Sequence, residues 1–171
     1  MDLTQIIRKV PDFPKPGILF YDISTILNEP RAWRYTIDRL AEEVSAYKPT
    51  MLAAIESRGF IFAAPVAYKL GIGFVMVRKV GKLPGEVISH SYDLEYGSDT
   101  LQVADGLIQP GSRMVLIDDL IATGGTAAAS VELLRKIGAS VEAAVFLIEL
   151  LGLGGREKLG APSKALLQFE G

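Results

Sequence analysis

Short apolar runs alternate with helical patterns through most of this chain, and no other feature limits the fold as strongly. The apolar runs cover residues 51–55, 74–77, 114–117 and 141–148. Helical patterns follow the first and third of them, over 60–70 and 126–137. Strands that alternate with helices indicate βαβ units, and runs that are apolar throughout indicate strands buried on both faces. The sequence therefore predicts an α/β domain with a mainly parallel sheet flanked by helices.

The N-terminal stretch has a different pattern. An apolar residue at every third or fourth position predicts a short amphipathic helix over residues 2–10. Three prolines between positions 11 and 17 predict an extended segment there, and a short strand or an ordered loop follows over 18–21. Pro30 is a favourable first-turn residue, so a second helix is expected to begin near it and to end before Pro49.

The composition excludes several kinds of site. The chain has 171 residues, a net charge of −2, no cysteine and a single histidine, His90. Disulfides, thiolate nucleophiles and cysteine zinc sites are therefore excluded, and any metal would be a hard cation held by oxygen atoms. Basic residues form no run longer than two, and no apolar stretch is long enough to span a bilayer. We expect one cytoplasmic domain that binds neither nucleic acid nor membranes.

Two adjacent carboxylates, Asp118 and Asp119, follow the third apolar run, and a glycine-containing loop leads from them into a helix. Ligands of parallel α/β sheets bind at the carboxyl ends of the strands. Glycines, hydroxyls and a helix N-terminus together form a cradle for a phosphate, and the carboxylates would bind ribose hydroxyls, directly or through a divalent cation. No lysine follows the glycines, so the loop is not a P-loop and would hold a phosphate without transferring it. The loop consists of Ala122, Thr123, Gly124, Gly125 and Thr126.

The stretch 115–126 resembles the phosphoribosyl-diphosphate signature of the type I phosphoribosyltransferase family. The resemblance implies the fold of that family in a single domain, 1–171: a mainly parallel twisted sheet flanked by helices, a small N-terminal hood at roughly 11–28, and a flexible lid at roughly 79–103. It implies that Asp118 and Asp119 contact the ribose hydroxyls. It also implies that the loop Ala122 to Thr126 binds the 5′-phosphate.

A second motif, Glu56-Ser57-Arg58-Gly59-Phe60, lies between another predicted strand and helix. It places a cation and free N–H groups at the same edge of the sheet, which suits a pyrophosphate that also needs a metal to disperse its charge. In the resembling family this is the pyrophosphate loop, which often contains a cis peptide bond between non-proline residues. The implied pyrophosphate ligands are Ser57, Arg58, Arg78, Lys79 and Lys82.

Residues 78–104 interrupt the alternation of strands and helices. Their glycines and proline exclude a regular element over 81–85, and no core face is evident, so the segment is either a solvated hairpin or a lid that excludes water. Together with the tail motif Gly-Arg-Glu-Lys-Leu, this segment resembles the adenine-specific branch of the family. The resemblance implies that Glu95 is the acid/base near the purine and that Tyr96 follows it in the lid. A lone histidine is usually a bystander, so His90 is assigned no role.

The proline-rich segment 13–23 resembles the hood that packs the base in that branch. The implied base contacts are Leu19, Phe20, Tyr21 and Leu150. Arginine is frequent in some relatives where Tyr21 stands, and an aromatic ring at this position could stack on adenine.

The resemblance implies a complete reaction: the 5-phosphoribosyl group of 5-phosphoribosyl 1-diphosphate is transferred to adenine, giving AMP and pyrophosphate, with Mg²⁺ as cofactor and a homodimer as the assembly. Two other functions remain open from the residues. One is a phosphoribosyltransferase for another base, such as xanthine or hypoxanthine. The other is a non-catalytic regulator that senses phosphoribosyl diphosphate, although residues 1–30 contain no helix-turn-helix pattern.

Overall fold

The structure is a computed structural model that describes residues 1–94 and 96–170. The chain divides into two compact units, the first comprising residues 1–39 and the second the remainder. None of the described helices combines the length and the apolar character needed to cross a lipid bilayer.

The N-terminal unit is built around a two-stranded antiparallel hairpin. A 3₁₀ turn over Leu3–Gln5 precedes strand β1, Arg8–Pro11, which pairs with β2, Leu19–Asp22. The short helix α1, Ser24–Asn28, follows. The second strand overlaps the segment 18–21, for which the sequence allowed either a strand or an ordered loop, and extends one residue beyond it.

The predicted helix over residues 2–10 is wrong. Residues 8–11 pair with a second strand, because a lone helix of about nine residues is marginal in water whereas the hairpin satisfies its backbone groups across the ladder. Arg8 Nε also donates to Asp22 Oδ2 at 2.9 Å, which joins the two strands through their side chains. The backbone N–H of Ser24 donates to Asp22 Oδ1 at 2.9 Å. Hydrogen bonds from Ser24 and then Arg8 lower the pKa of Asp22 to about 2.

The second unit contains a seven-stranded sheet whose strands are ordered β5-β6-β4-β3-β7-β8-β9. Its strands are β3 Met51–Ile55, β4 Gly73–Lys79, β5 Val87–Asp93, β6 Ser98–Ala104, β7 Arg113–Ile121, β8 Ser140–Leu151 and β9 Ser163–Glu170. Its helices are α3 Arg58–Leu70, α4 Gly125–Lys136 and α5 Gly155–Lys158, while α2, Pro30–Ser45, spans the division between the units. The four pairings from β4 through β3, β7 and β8 to β9 are parallel, which confirms the predicted mainly parallel sheet.

All four apolar runs are strands. The runs in β3, β7 and β8 are buried on both faces as predicted, whereas the run in β4 leaves Met76 exposed on one face. In β7 the consecutive residues Val115, Leu116 and Ile117 are fully buried although their side chains alternate between faces. Strand β7 also continues to Ile121, so Asp118 and Asp119 lie inside the strand and not just beyond its end. The tail adds a ninth strand, which its glycines and charges did not predict.

Residues 87–104 have a core face, contrary to the sequence expectation. Strands β5 and β6 form an antiparallel hairpin that joins the sheet through β4. Leu101 and Val103 of β6 are buried in the main hydrophobic core. The pattern was weak because only one face of the hairpin is covered, and β5 contributes few apolar side chains to it. Glu95, the predicted acid/base, lies outside the described residues.

Candidate active site

The two motifs that the sequence singled out line one cavity of about 410 Å³. It lies where β3 leads into α3 and β7 leads into α4, at the carboxyl ends of two neighbouring parallel strands. Because such strand ends share one edge of a sheet, residues 61 positions apart in the chain meet there. The lining residues are Ile55, Glu56, Ser57, Arg58, Lys79 and the continuous stretch 118–127.

The paired carboxylates differ in their surroundings. Asp119 is 6% exposed, and its Oδ2 accepts a hydrogen bond from Arg58 Nε at 2.5 Å. Asp118 Oδ1 accepts the backbone N–H of Asp119 at 2.8 Å. Burial, and then the neighbouring Asp119 charge, raise the pKa of Asp118 well above its ordinary value. Asp118 is therefore a carboxyl group whose ionised form would be stabilised by a hydroxyl donor placed in the cavity.

Gly59 brings helix α3 close to the carboxylates. A Cβ atom at this position would lie 2.9 Å from the carbonyl oxygen of Ile117 and 3.0 Å from Asp118 Oδ1. Any larger residue would push the first turn of α3 away from β7. Gly59 lies within a motif that the sequence singled out, but this function was missed, because the close approach of α3 to β7 exists only in three dimensions.

Two helix N-termini face the cavity without side-chain caps. The N-cap residues are Ser57 for α3 and Gly124 for α4, and neither helix has a side-chain hydrogen bond at its cap. The first N–H groups of a helix have no partner within the helix and carry partial positive charge. Gly124 has φ of +78°, a left-handed conformation that favours glycine. The two ends therefore provide two separate sets of donors for anions.

The peptide bond between Glu56 and Ser57 is cis, as the resemblance implied for this loop. Glu56 is a second residue whose function the sequence analysis missed. Its carboxylate accepts the backbone N–H of Lys79 and forms an ion pair with Arg78, at 3.3 Å from Nη2 to Oε2. Glu56 thus fastens the start of α3 to the end of β4.

The predicted cationic ligands occupy different places. Lys79 lines the cavity, and its Nζ pairs with Asp99 Oδ2 at 2.7 Å. The guanidinium of Arg78 lies over the ring of Phe60, 5.6 Å from its centroid, in addition to its pair with Glu56. Lys82 is outside the lining, and its carbonyl oxygen accepts a hydrogen bond from Arg78 at 3.3 Å.

The predicted base contacts come from separate elements. Leu19, Phe20 and Tyr21 belong to β2 of the N-terminal unit. There Phe20 packs edge-on against Phe13 with ring centroids 5.1 Å apart, and Tyr21 is buried. Leu150 lies near the end of β8 and is half-buried, outside the cavity lining. Tyr96 is 87% exposed.

Within residues 1–94 and 96–170, no cluster of three or more histidine, aspartate or glutamate side chains could hold a metal ion. The cavity offers two adjacent carboxylates instead. Mg²⁺ is commonly held by one or two carboxylates together with substrate phosphates, so the donor set fits that mode of binding and not a cage made by protein alone.

The chain is similar to phosphoribosyltransferases over almost its whole length. Residues 23–164 match the model of the phosphoribosyl transferase domain. The chain is 60% identical to an adenine phosphoribosyltransferase of Gluconacetobacter diazotrophicus over 170 residues, which cover 99% of this chain and 97% of the relative.

Solved structures of adenine phosphoribosyltransferases also superpose on this chain. An adenine phosphoribosyltransferase of Thermoanaerobacter pseudethanolicus superposes with a TM-score of 0.93 at 47% identity and 98% coverage of both chains. The enzyme of Saccharomyces cerevisiae superposes with a TM-score of 0.90 at 42% identity and 96% coverage of both. That structure was determined in complex with D-2,5-dideoxy-2,5-imino-altritol 1,6-bisphosphate and adenine. The predicted type I phosphoribosyltransferase fold is thereby confirmed.

Proposed function

Because this chain belongs to the adenine phosphoribosyltransferases of the phosphoribosyltransferase family, we propose that its cavity binds 5-phosphoribosyl 1-diphosphate and divides the parts of that substrate among its loops. The activity is transfer of the 5-phosphoribosyl group to adenine, which yields AMP and pyrophosphate. One observation supports the assignment most strongly. Two uncapped helix N-termini and a pair of carboxylates line the same cavity, which matches a ligand with a phosphate at each end and a diol between them.

The loop 122–126 binds the 5′-phosphate in this proposal. Its N–H groups belong to the uncapped start of α4, and Thr123 and Thr126 add hydroxyl donors. No side-chain cation within the cavity lining belongs to this loop, so the phosphate would be held by backbone dipoles and hydroxyls.

Asp118 and Asp119 bind the ribose diol. A ribose hydroxyl that donates to Asp118 would stabilise its ionised form, which burial and the Asp119 charge disfavour. Asp119 is already oriented by Arg58. The two carboxylates would also favour the positive charge that builds on the sugar as the bond from C1′ to the leaving oxygen breaks.

Ser57, Arg58 and Lys79 bind the pyrophosphate. Arg58 is paired with Asp119 in the structure, and the more highly charged pyrophosphate would attract its guanidinium in the complex. Lys79 would act similarly from β4, where it pairs with Asp99. Arg78 and Lys82 stay predictions as pyrophosphate ligands, and for Arg78 the pair with Glu56 would have to be exchanged.

Mg²⁺ is the proposed cofactor, held by the diphosphate together with Asp118 or Asp119. When bound, it would disperse the negative charge of the departing pyrophosphate. The remaining contributions come from the chain itself: orientation of C1′ toward the base, exclusion of water, and charge complementarity along the cavity.

The residues predicted to contact adenine are not among those that line the cavity. The adenine nitrogen forms a bond to C1′, the bond from C1′ to pyrophosphate breaks, and the adenine nitrogen loses its proton to a base. Glu95 stays the predicted acceptor of that proton and lies outside the described residues. Leu19, Phe20, Tyr21 and Leu150 stay the predicted base contacts, and Tyr96, the homodimer and the cytoplasmic location also stay predictions.

An assay with separate bases tests the proposal. The protein is mixed with 5-phosphoribosyl 1-diphosphate, Mg²⁺ and either adenine, hypoxanthine or xanthine, and the nucleotide product is identified by chromatography. We expect AMP from adenine and at least about a hundredfold lower rates with the other bases, since a site built for one hydrogen-bond pattern rejects another. Equal or faster formation of IMP or XMP would assign a different base. Binding of the diphosphate without turnover of any base would favour a sensing regulator.

A further inference from the structure

We propose that Gly155, together with the ion pair behind it, positions the loop 122–126 for phosphate binding. The proposal rests on the function proposed above for that loop. It gives a role to the tail motif Gly-Arg-Glu-Lys-Leu, residues 155–159, which the proposed function leaves without one.

The backbones of Gly155 and the loop are in direct contact. A Cβ atom at Gly155 would lie 2.9 Å from Ile121 Cγ1, 3.0 Å from the backbone nitrogen of Gly124, and closer still to the carbonyl oxygen of Ala122. In the other direction, a Cβ atom at Gly124 would lie 2.7 Å from the Cα atom of Gly155. No side chain separates the two segments, so the position of one sets the position of the other.

Position 155 requires glycine because a Cβ atom would not fit there, and not because of its backbone conformation. Gly155 is buried, is the first residue of α5, and is not among the glycines with positive φ. The contact with Ala122 and Gly124 accounts for the glycine.

An ion pair between the exposed Arg156 and the buried Glu149 holds Gly155 in place. Arg156, the next residue, donates from Nε to Glu149 Oε1 at 2.8 Å and also bonds the second carboxylate oxygen. Glu149 is 6% exposed, and its Oε2 accepts a further hydrogen bond from Gln168 Nε2 at 2.9 Å. Arg156 Nη1 donates to the carbonyl oxygen of Ser163 at 3.3 Å. The start of α5 is thereby fixed to both β8 and β9.

The same ion pair lies beside the origin of the loop. In the register of the sheet, Glu149 of β8 is the partner of Ile121 of β7, the residue that precedes the loop. The sheet therefore fixes where the loop begins, and Gly155 fixes how far its backbone extends. Because α4 has no side-chain cap, the direction of the loop N–H groups depends on this packing and not on a capping side chain.

The test compares Gly155→Ala with Gly73→Ala. Gly73 is a matched control, since a Cβ atom there meets nothing within 4 Å and its φ is ordinary. Calorimetry measures binding of ribose 5-phosphate, and steady-state kinetics measure the KM for 5-phosphoribosyl 1-diphosphate and for adenine. We expect Gly155→Ala to weaken ribose 5-phosphate binding and to raise the KM for the diphosphate about ten- to a hundredfold, as for a ligand group misplaced by about 1 Å. The KM for adenine should change less than about threefold, and Gly73→Ala should leave all three values unchanged.

A second set of variants keeps the test valid where Gly155→Ala does not fold. Arg156→Met removes the ion pair and leaves the loop sequence intact, whereas Arg156→Lys keeps one charged contact. The KM for the diphosphate should rise more in Arg156→Met than in Arg156→Lys. If the pair acts as a unit, Glu149→Gln combined with Arg156→Met should raise it no further than Arg156→Met alone.

The outcomes separate this inference from the proposed function. If the wild-type protein does not bind ribose 5-phosphate, the proposed function of the loop fails. If the wild type binds it, and Gly155→Ala lowers the melting temperature without changing the affinity for ribose 5-phosphate or the KM for the diphosphate, Gly155 has only a structural role and the inference is overturned. Where Gly155→Ala does not fold, the same result in Arg156→Met overturns it.

Discussion

Asp118 lines the cavity in an environment that disfavours its charge. Burial and the adjacent Asp119 raise its pKa in the folded state above the unfolded value of 3.8. Between those two pKa values the folded protein binds more protons than the unfolded chain. The free energy of unfolding therefore falls as the pH rises through that interval and stays lowered above it. An aspartate at position 118 therefore lowers the stability of the fold, and its presence is explained by ligand binding.

Replacement of Asp118 by asparagine should separate stability from activity. The new amide would be uncharged, and its oxygen could still accept the N–H of Asp119, so we expect the melting temperature at pH 7 to rise by about 2–4 °C for each 1 kcal/mol of repulsion removed. The value of kcat/KM should fall about a hundredfold or more, because the ribose loses an ionic acceptor. Calorimetry between pH 4 and pH 8 and steady-state assays measure the two effects.

Asp105→Asn is the matched control for that variant. Asp105 is exposed, and its Oδ1 accepts the N–H of Gly106 at 2.8 Å, a hydrogen bond that asparagine can keep. It should change neither the melting temperature nor the activity. A melting temperature for Asp118→Asn below that of the wild type at pH 7 would contradict the electrostatic account of this residue.

Arg58 is the cation that the pyrophosphate is expected to attract. In Arg58→Met the KM for 5-phosphoribosyl 1-diphosphate should rise about ten- to a hundredfold, which corresponds to the loss of a charge-assisted hydrogen bond of about 1.5–3 kcal/mol. Inhibition by pyrophosphate should weaken similarly. The exposed Arg31 supplies the control variant, Arg31→Met. An unchanged KM in Arg58→Met would remove this residue from the pyrophosphate site.

The sequence predicts some of these residues and not others for a physical reason. Asp118, Asp119 and the loop that follows are contiguous, so their chemistry can be recognised without knowing the fold. Glu56 and Gly59 act through contacts with β4 and β7, which are distant in sequence. Their roles become evident only when three strands are aligned at one edge.

At the scale of elements, the β5–β6 hairpin is fastened to its neighbours by polar contacts. Lys136 Nζ of α4 donates to the carbonyl oxygen of Ser89 at 3.0 Å. The hydroxyls of Tyr92 and Thr126 lie 3.4 Å apart, which links the hairpin to the end of the phosphate-binding loop. A lid movement of this hairpin would have to break these contacts.

Removal of the lysine contact should loosen the hairpin selectively. In Lys136→Met we expect faster amide hydrogen exchange in β5, with unchanged exchange in β3 and β7, because the contact fixes one strand to α4 and no part of the central sheet. Exchange is followed by mass spectrometry of peptides. Lys164→Met on the exposed face of β9 is the control. Equal exchange in β5 of the wild type and Lys136→Met would show that the lysine contact does not hold the hairpin.

The elements were predictable where burial on both faces produces an uninterrupted apolar run, as in β3 and β7. They were not predictable at the N-terminus, where the spacing of Ile6, Ile7 and Val10 fits a helix. There the antiparallel pairing of β1 with β2 overrides the helical period. The core face of the hairpin formed by β5 and β6 was missed for a related reason, since one covered face leaves a weak alternation.

At the scale of the whole molecule, the second unit contains the cavity lining and the main hydrophobic core. Its described residues form no cage that could hold a metal by protein groups alone. In the proposed function Mg²⁺ enters with the diphosphate, so it would contribute to binding and not to the folding of the free protein.

Removal of metal should therefore stop turnover without destabilising the free protein. With excess EDTA we expect no AMP formation and an unchanged melting temperature in the absence of substrate. Addition of Mg²⁺ and 5-phosphoribosyl 1-diphosphate at about 100 times the Kd should stabilise the fold by about 2.7 kcal/mol. Differential scanning fluorimetry measures each condition. A lower melting temperature caused by EDTA alone would indicate a resident structural metal.

The most direct measurement is a crystal structure of the protein with AMP and pyrophosphate. We expect the 5′-phosphate on the N–H groups of residues 122–126, the ribose hydroxyls on Asp118 and Asp119, and the pyrophosphate beside Arg58. A nucleotide bound elsewhere, or bound in this cavity with its phosphate directed away from the start of α4, would contradict this expectation.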